Sequence, residues 1–183
     1  MTSTYYVYLF KKVIDSVISC YCPDVIVMQS GADSLTGDKI GHFELTIGAY
    51  GECLDFLRRF NTPLILLGGG GYTVENVARC WAYETSVLLK MNIDNEIPEK
   101  NSFYHCYAGD KYKLHFESQE NENCNLPTDL DFIIERVREN IREGVARPSV
   151  QFHHLPTHVS RFDFEEEEDV KNIEPWCIYL IKS

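Results

Sequence analysis

The sequence predicts an α/β fold with a partial parallel sheet and helices on both faces, and three observations carry that prediction. Two short, strongly apolar runs, Asp24–Gln29 and Pro63–Leu67, read as buried parallel strands. Segments with apolar residues at helical spacing stand before, between and after them. Each strand runs into a glycine-containing loop, SGADSLTGDKIG after the first and GGGGYT after the second.

The elements follow in order. From Tyr6 to Tyr21, Phe10, Val13, Ile14, Val17, Ile18 and Tyr21 recur on one helical face, and Pro23 stops the helix. DVIVMQ is short, β-branched and apolar on both faces, as a buried strand should be. FELTIGAYGECLDFLRRF, Phe43 to Phe60, reads as a second helix, weakened by Gly48 and Gly51. PLILL is the second buried strand. Thr73 is placed to cap a third helix from Val74 to about Lys90. The order gives a βαβ unit and so a parallel sheet with a right-handed crossover. Beyond Met91 the pattern loosens into loop, with a short extended piece at Tyr112–Phe116. Asp129–Glu143 reads as a fourth helix, with Leu130, Ile133, Ile134, Val137 and Ile141 on one face. FEEEEDV near the C-terminus is a like-charge run that reads as solvated. PWCIYLIKS after it is unexpectedly apolar; it either docks back on the domain or is a spliced or read-through end.

Composition excludes several classes of function. The 183 residues suffice for one domain with a core. A formal net charge of −11 argues against nonspecific nucleic-acid binding and suits a basic peptide partner, although acidity is also a common solubility device. The seven cysteines are odd in number and form no Cys-x-x-Cys pair, so reduced thiols are expected. The N-terminus lacks the pattern of a signal peptide, and no apolar stretch approaches the ~20 residues that span a bilayer.

In open α/β sheets ligands bind beyond the carboxyl ends of the strands. Asp33 lies in the loop after the first strand and Tyr72 in the loop after the second, so parallel pairing brings both to one rim. The four glycines fit no dinucleotide fingerprint, because the sixth position from Gly68 is Thr73. No Gly-Lys-Ser/Thr follows, and Glu75 in the first helical turn repels a phosphate. The remaining use of the run is conformational. Such a loop can aim Tyr72 at a developing oxyanion, or Tyr72 can simply pack over the strand end; pattern alone leaves both open. Asp33 beside Gly31 and Ser34 reads on spacing alone as a turn residue, with metal ligand or base as the sharper alternatives.

The stretch from Met28 to Leu89 resembles the C-terminal part of class I zinc-dependent histone deacetylases. They carry a Gln-Cys-Gly-Ala-Asp-Ser-Leu segment, matched here by QSGADSL, and later Gly-Gly-Gly-Gly-Tyr-Thr followed by Asn-Val-Ala-Arg-Cys-Trp, matched by GGGGYT and NVARCW. The likeness is close over Tyr5–Phe116 and loose through ARPSVQF, residues 146 to 152. It implies a fragment of the arginase/deacetylase fold, with residues 1–151 a partial deacetylase domain and 152–183 a divergent acidic tail.

The resemblance also implies roles. Asp33 matches one of three zinc ligands. Tyr72 matches the tyrosine that hydrogen-bonds the acetyl carbonyl and steadies its oxyanion, and Ile40 matches a residue lining the mouth of the acetyl-lysine tunnel. Gly70 and Gly71 would let the backbone bend against that tunnel. Substrates would be histone tails or other acetyl-lysine proteins. Corepressor or deacetylase subunits would be partners, and the setting would be the nucleus, with the cytoplasm as a second location, in transcriptional repression. In the family the other zinc ligands come from an upstream Asp-x-His segment and a His-His pair acts as base and acid; neither is matched here, nor are the potassium-binding segments. His42, His105 and His115 lack the right context, and His153-His154 lie in the tail without the glycine-rich setting of the family pair. The expectation is a truncated chain that binds zinc poorly and is inactive alone. The alternatives are a non-catalytic interaction module or competitor in deacetylase complexes, or a degenerate product. Ser30 stands where the family usually has Cys and reads as a neutral change. Lys39 matches a basic inositol-phosphate contact, but Glu75 reverses the charge of the second. A sheet short of strands should also leave apolar edges that favour self-association.

Overall fold

A computed structural model describes residues 1–117, 123–145 and 176–181. Helix α1 (Ser3–Tyr21) leads into strand β1 (Val25–Ser30). Helix α2 (Ile47–Arg58) crosses to strand β2 (Leu64–Leu67), which feeds helix α3 (Val74–Leu89). Helix α4 (Pro127–Val145) and strand β3 (Trp176–Ile181) complete the described elements. This is the α/β class the periodicity predicts, although among the described residues helices α1, α2 and α3 all pack on one face of the sheet rather than on both.

The sheet has the order β2-β1-β3. β1 and β2 pair in parallel, from Ile26 opposite Leu64 to Gln29 opposite Leu67. β3 pairs antiparallel with β1, from Val25 opposite Ile181 to Ser30 opposite Trp176. The apolar C-terminal segment therefore docks back on the domain, as one of its two expected fates. The acidic run, His153 and His154 lie outside the described residues.

Alternation along the strands sets the core. Ile26 and Met28, both fully buried, share a face with Leu64 and Leu66. Against that face pack Val7, Phe10, Ile14 and Ile18 of α1, Ala49, Cys53, Leu54 and Leu57 of α2, and Val87 and Leu88 of α3. Helix α4 lies outside α1, burying Leu130 and Ile134, and Arg138 Nε donates to Ser16 Oγ at 3.3 Å. A second cluster, Ala32, Leu35, Leu45, Ile47, Tyr50 and Cys80, supports the loops at the carboxyl ends of the strands.

Four details differ from the sequence reading. β2 is not a buried strand: Ile65 and Leu67 are 49% and 47% exposed, because among the described residues β2 has a strand on one side only and its outer face is open. Helix α2 begins at Ile47 rather than Phe43; Thr46 caps it by accepting from Ala49 N at 3.2 Å, while Leu45 bridges to Leu35 as a short strand-like contact. Thr73 occupies the N-cap of α3, but its hydroxyl donates to Gly37 O at 2.9 Å instead of capping. Residues Tyr104–Asp110 form a 3-10 helix, and the extended piece reduces to a single bridge between Glu96 and Lys113. Arg79 fastens this segment to α3. Its guanidinium is buried, donates to Asp110 Oδ2 at 2.7 Å and to Lys113 O at 3.1 Å, and lies 4.2 Å from the Phe116 ring centroid.

Candidate functional site

The site forms where the β1 and β2 loops meet. Beyond β1 the chain turns through a 3-10 helix, Ala32–Ser34, that carries Asp33. Three contacts fix its approach. Trp81 Nε1 donates to Ser30 O at 2.8 Å, Tyr50 Oη donates to Gly31 O at 3.0 Å, and Ala32 N donates to Gly70 O at 2.7 Å. The last bond locks the two loops together directly.

Two of the four glycines explain themselves at this junction. A Cβ on Gly70 would collide with the Asp33 carboxylate, so only glycine lets that side chain lie against the tyrosine loop. Gly71 has φ of +138°, a conformation L side chains rarely adopt. It turns the chain immediately before Tyr72, which is 45% exposed. The expected rim is therefore present: Asp33 abuts the residue two places before Tyr72. Ile40, 61% exposed, stands on the neighbouring loop.

Asp33 is half-buried, and its Oδ1 is enclosed with no hydrogen-bond partner. Burial pushes its carboxyl above the usual range; its own backbone N–H opposes that, and the charge of Asp38 adds to it. A buried carboxylate oxygen without a donor costs free energy unless a cation or proton satisfies it. Asp33 thus fits the place of a metal ligand. The fit stops at one residue, since the described residues contain no group of three His, Cys, Asp or Glu side chains able to hold a metal. His42, His105 and His115 are exposed, and His115 packs edge-on against Tyr83.

Asp38 has no periodicity or motif to announce it, yet it joins both loops. Its Oδ1 accepts from Ile40 N and Gly41 N, each at 2.8 Å, and its Oδ2 accepts from Tyr72 N at 2.8 Å. Partial burial raises its carboxyl, but the N–H groups of Gly41, Tyr72, Ile40 and Thr73 together outweigh that and hold it below the usual range. The Asp-x-x-Gly spacing within GDKIG, an Asx-turn pattern, is the signal that could have found it.

Ser30 also has a partner. Its hydroxyl donates to Glu84 Oε1, while Glu84 Oε2 has none, and Glu84 is completely buried. Burial pushes the Glu84 carboxyl up to about 7, with the Ser30 bond pulling the other way. The Ser30 side chain thus satisfies half of a buried acid.

Comparisons with known proteins identify the family. The family model described as "Histone deacetylase domain" matches residues 1–88, which include both loops. The chain is 44% identical over 163 residues to Histone deacetylase 6 of Arabidopsis thaliana, covering 89% of this chain and 34% of that protein. The chain belongs to the histone deacetylase family. Two other histone deacetylases are similar to it. Type-1 histone deacetylase 1 of Dictyostelium discoideum is 41% identical over 161 residues, 88% of this chain and 32% of the relative. Probable histone deacetylase 1-B of Xenopus laevis is 42% identical over 161 residues, 88% and 33%. The chain spans about a third of the length of the curated histone deacetylases it matches. The histone deacetylase domain has the arginase/deacetylase fold, in keeping with the α/β arrangement seen here. No helix among the described residues is long and apolar enough to cross a membrane.

Proposed function

We propose that this chain carries the aspartate and tyrosine part of a lysine deacetylase site. The observation that supports it best is the Asp33 carboxylate, its Oδ1 enclosed and unpartnered, held against Gly70, two residues before Tyr72. Asp33 would be one ligand of a zinc ion. Such an ion, when bound, polarises an amide carbonyl and supplies an activated water. Tyr72 donates its phenolic proton in a hydrogen bond to the acetyl oxygen and stabilises the charge that develops there. Gly70 and Gly71 keep the backbone thin beside the substrate, and Ile40 offers apolar contact to the acetyl-lysine stem. The substrate class is acetyl-lysine in histone tails or other proteins. Their basic character complements the net charge of −11, and the setting is nuclear transcriptional repression with corepressor subunits. The described residues contain no group of three metal-binding side chains, so two further zinc ligands and a general base would come from a segment outside them. The chain by itself should bind zinc weakly and turn over little substrate.

The test mixes the purified chain with the N-terminal portion of a related histone deacetylase and measures bound zinc and hydrolysis of an acetyl-lysine peptide. Turnover should appear only in the mixture. Tyr72→Phe should lower it by roughly 10²-fold or more, the worth of one oxyanion donor. Little change in that variant, or tight stoichiometric zinc on the chain alone, would count against the proposal. A second reading, a competitor within deacetylase complexes, is favoured by the open apolar face at Ile65 and Leu67. It predicts that added chain lowers the activity of an intact histone deacetylase complex, with no zinc needed on the chain itself.

A further inference from the structure

The geometry points to Asp38 as the positioning residue of this site: one carboxylate clasps the Asp33 loop to the Tyr72 loop and thereby sets where the tyrosine stands relative to Asp33. The inference rests on the proposed function for its catalytic meaning, but the clasp itself is independent of it.

The tyrosine loop has no regular backbone pairing of its own. Tyr72 lies outside both β2 and α3, so no helix or ladder bond fixes its N–H. Its neighbour Gly71 is the softest kind of residue, already at positive φ. Left alone, this junction has many orientations for the phenol. Asp38 removes that freedom. Its Oδ2 takes the Tyr72 N–H at 2.8 Å, across 34 residues of sequence. Its Oδ1 is held on its own side by Ile40 N and Gly41 N, both at 2.8 Å, so the carboxylate cannot rotate to follow the tyrosine loop. Charge-assisted bonds of this kind are stronger than neutral ones.

The surroundings prevent the clasp from drifting as a unit. A Cβ on Gly41 would overlap the backbone carbonyl of Asp33, so the 38–41 turn is pressed against the residue whose side chain matters. Thr73 Oγ1 donates to Gly37 O at 2.9 Å, a second tie between the loops. Asn76 Nδ2 donates to Thr36 O at 3.3 Å, and Arg79 holds Asn76 Oδ1 at 2.6 Å. The same turn presents Ile40, so one carboxylate sets both the oxyanion donor and the tunnel-mouth side chain. Asn at position 38 would keep one acceptor oxygen and replace the other with a donor. The two N–H groups of the local turn hold the remaining oxygen, so the Tyr72 N–H faces a donor and loses its acceptor.

The test is amide hydrogen exchange resolved to single residues on the full chain. In the wild type, Tyr72 N–H should exchange at least about tenfold slower than an open loop amide, despite its exposed side chain. Asp38→Asn should erase that protection while leaving the β1 and β2 amides unchanged, and Thr73→Val should leave Tyr72 protected. Where the assembled site turns over peptide, Asp38→Asn should lower kcat by about tenfold or more with KM within about twofold, as loss of orientation predicts. Open-loop exchange at Tyr72 in the wild type would overturn the clasp without any variant. Retained Tyr72 protection in Asp38→Asn would overturn it also. Lost protection with kcat unchanged would overturn the positioning role.

Discussion

β1 and β2 are neighbours of similar composition with opposite surroundings. VIVMQS lies between two strands, and its inward residues Ile26, Met28 and Ser30 are fully buried. Among the described residues LILL lies at an edge, and its outward residues Ile65 and Leu67 are about half exposed. The two loops inherit this difference. Asp33 follows the central strand and is enclosed; Tyr72 follows the edge strand and is exposed. In the proposed site a ligand atom would gain from a fixed position, and a hydrogen-bond donor that meets substrate would gain from reach. The fold places the enclosed carboxylate on its central strand and ties the exposed tyrosine loop to it through Asp38.

Core truncation tests the comparison most severely. Met28→Ala should cost about 2–5 kcal/mol in urea unfolding, because the packed face of β1 cannot collapse around the void. Ile65→Ala on β2 should cost under about 1 kcal/mol. Equal losses would mean that the outer face of β2 is covered after all.

A pH measurement sharpens it next. Glu84, beneath Ser30 at the end of β1, has a folded-state carboxyl raised to about 7. The folded state therefore binds more protons than the unfolded chain between the ordinary glutamate range and pH 7. Stability from this group is present below the unfolded pKa and is lost as pH rises through about 7. Glu84→Gln should remove that slope and be the more stable protein at pH 8, by at most about 3 kcal/mol. An unchanged slope would show that Glu84 ionises freely. The smallest effect concerns the edge. Ile65→Lys should shift any concentration-dependent association seen in sedimentation toward monomer, with stability changed by less than about 1 kcal/mol. Association that ignores this charge would place the contact elsewhere.

Much of this was legible in the sequence, for identifiable reasons. Helices α1 and α3 and strand β1 announce themselves because their burial is regular, and regular burial leaves a period. The rim shared by Asp33 and Tyr72 follows from strand order alone. The start of α2 was not legible, because residues 41–46 are helix-compatible but are held by Asp38, Leu35 and the Thr46 cap. The exposure of β2 was hidden for a different reason: composition reports that a strand is apolar, not which neighbours it receives. Asp38 escaped because a clasp across 34 residues has no local pattern beyond its own turn.

The antiparallel pairing of β3 has a further consequence, for the order in which the molecule assembles. Residue 25 meets residue 181, so the second edge of the central strand stays open until residue 181 has been made. Closing so long a loop is slow, and an unpaired apolar strand is exposed to wrong partners meanwhile. On a ribosome, α1, β1, α2 and β2 can gather early, since their contacts are short-range by comparison. They would then persist as a half-closed intermediate, and a chaperone that covers strand edges would find its substrate there.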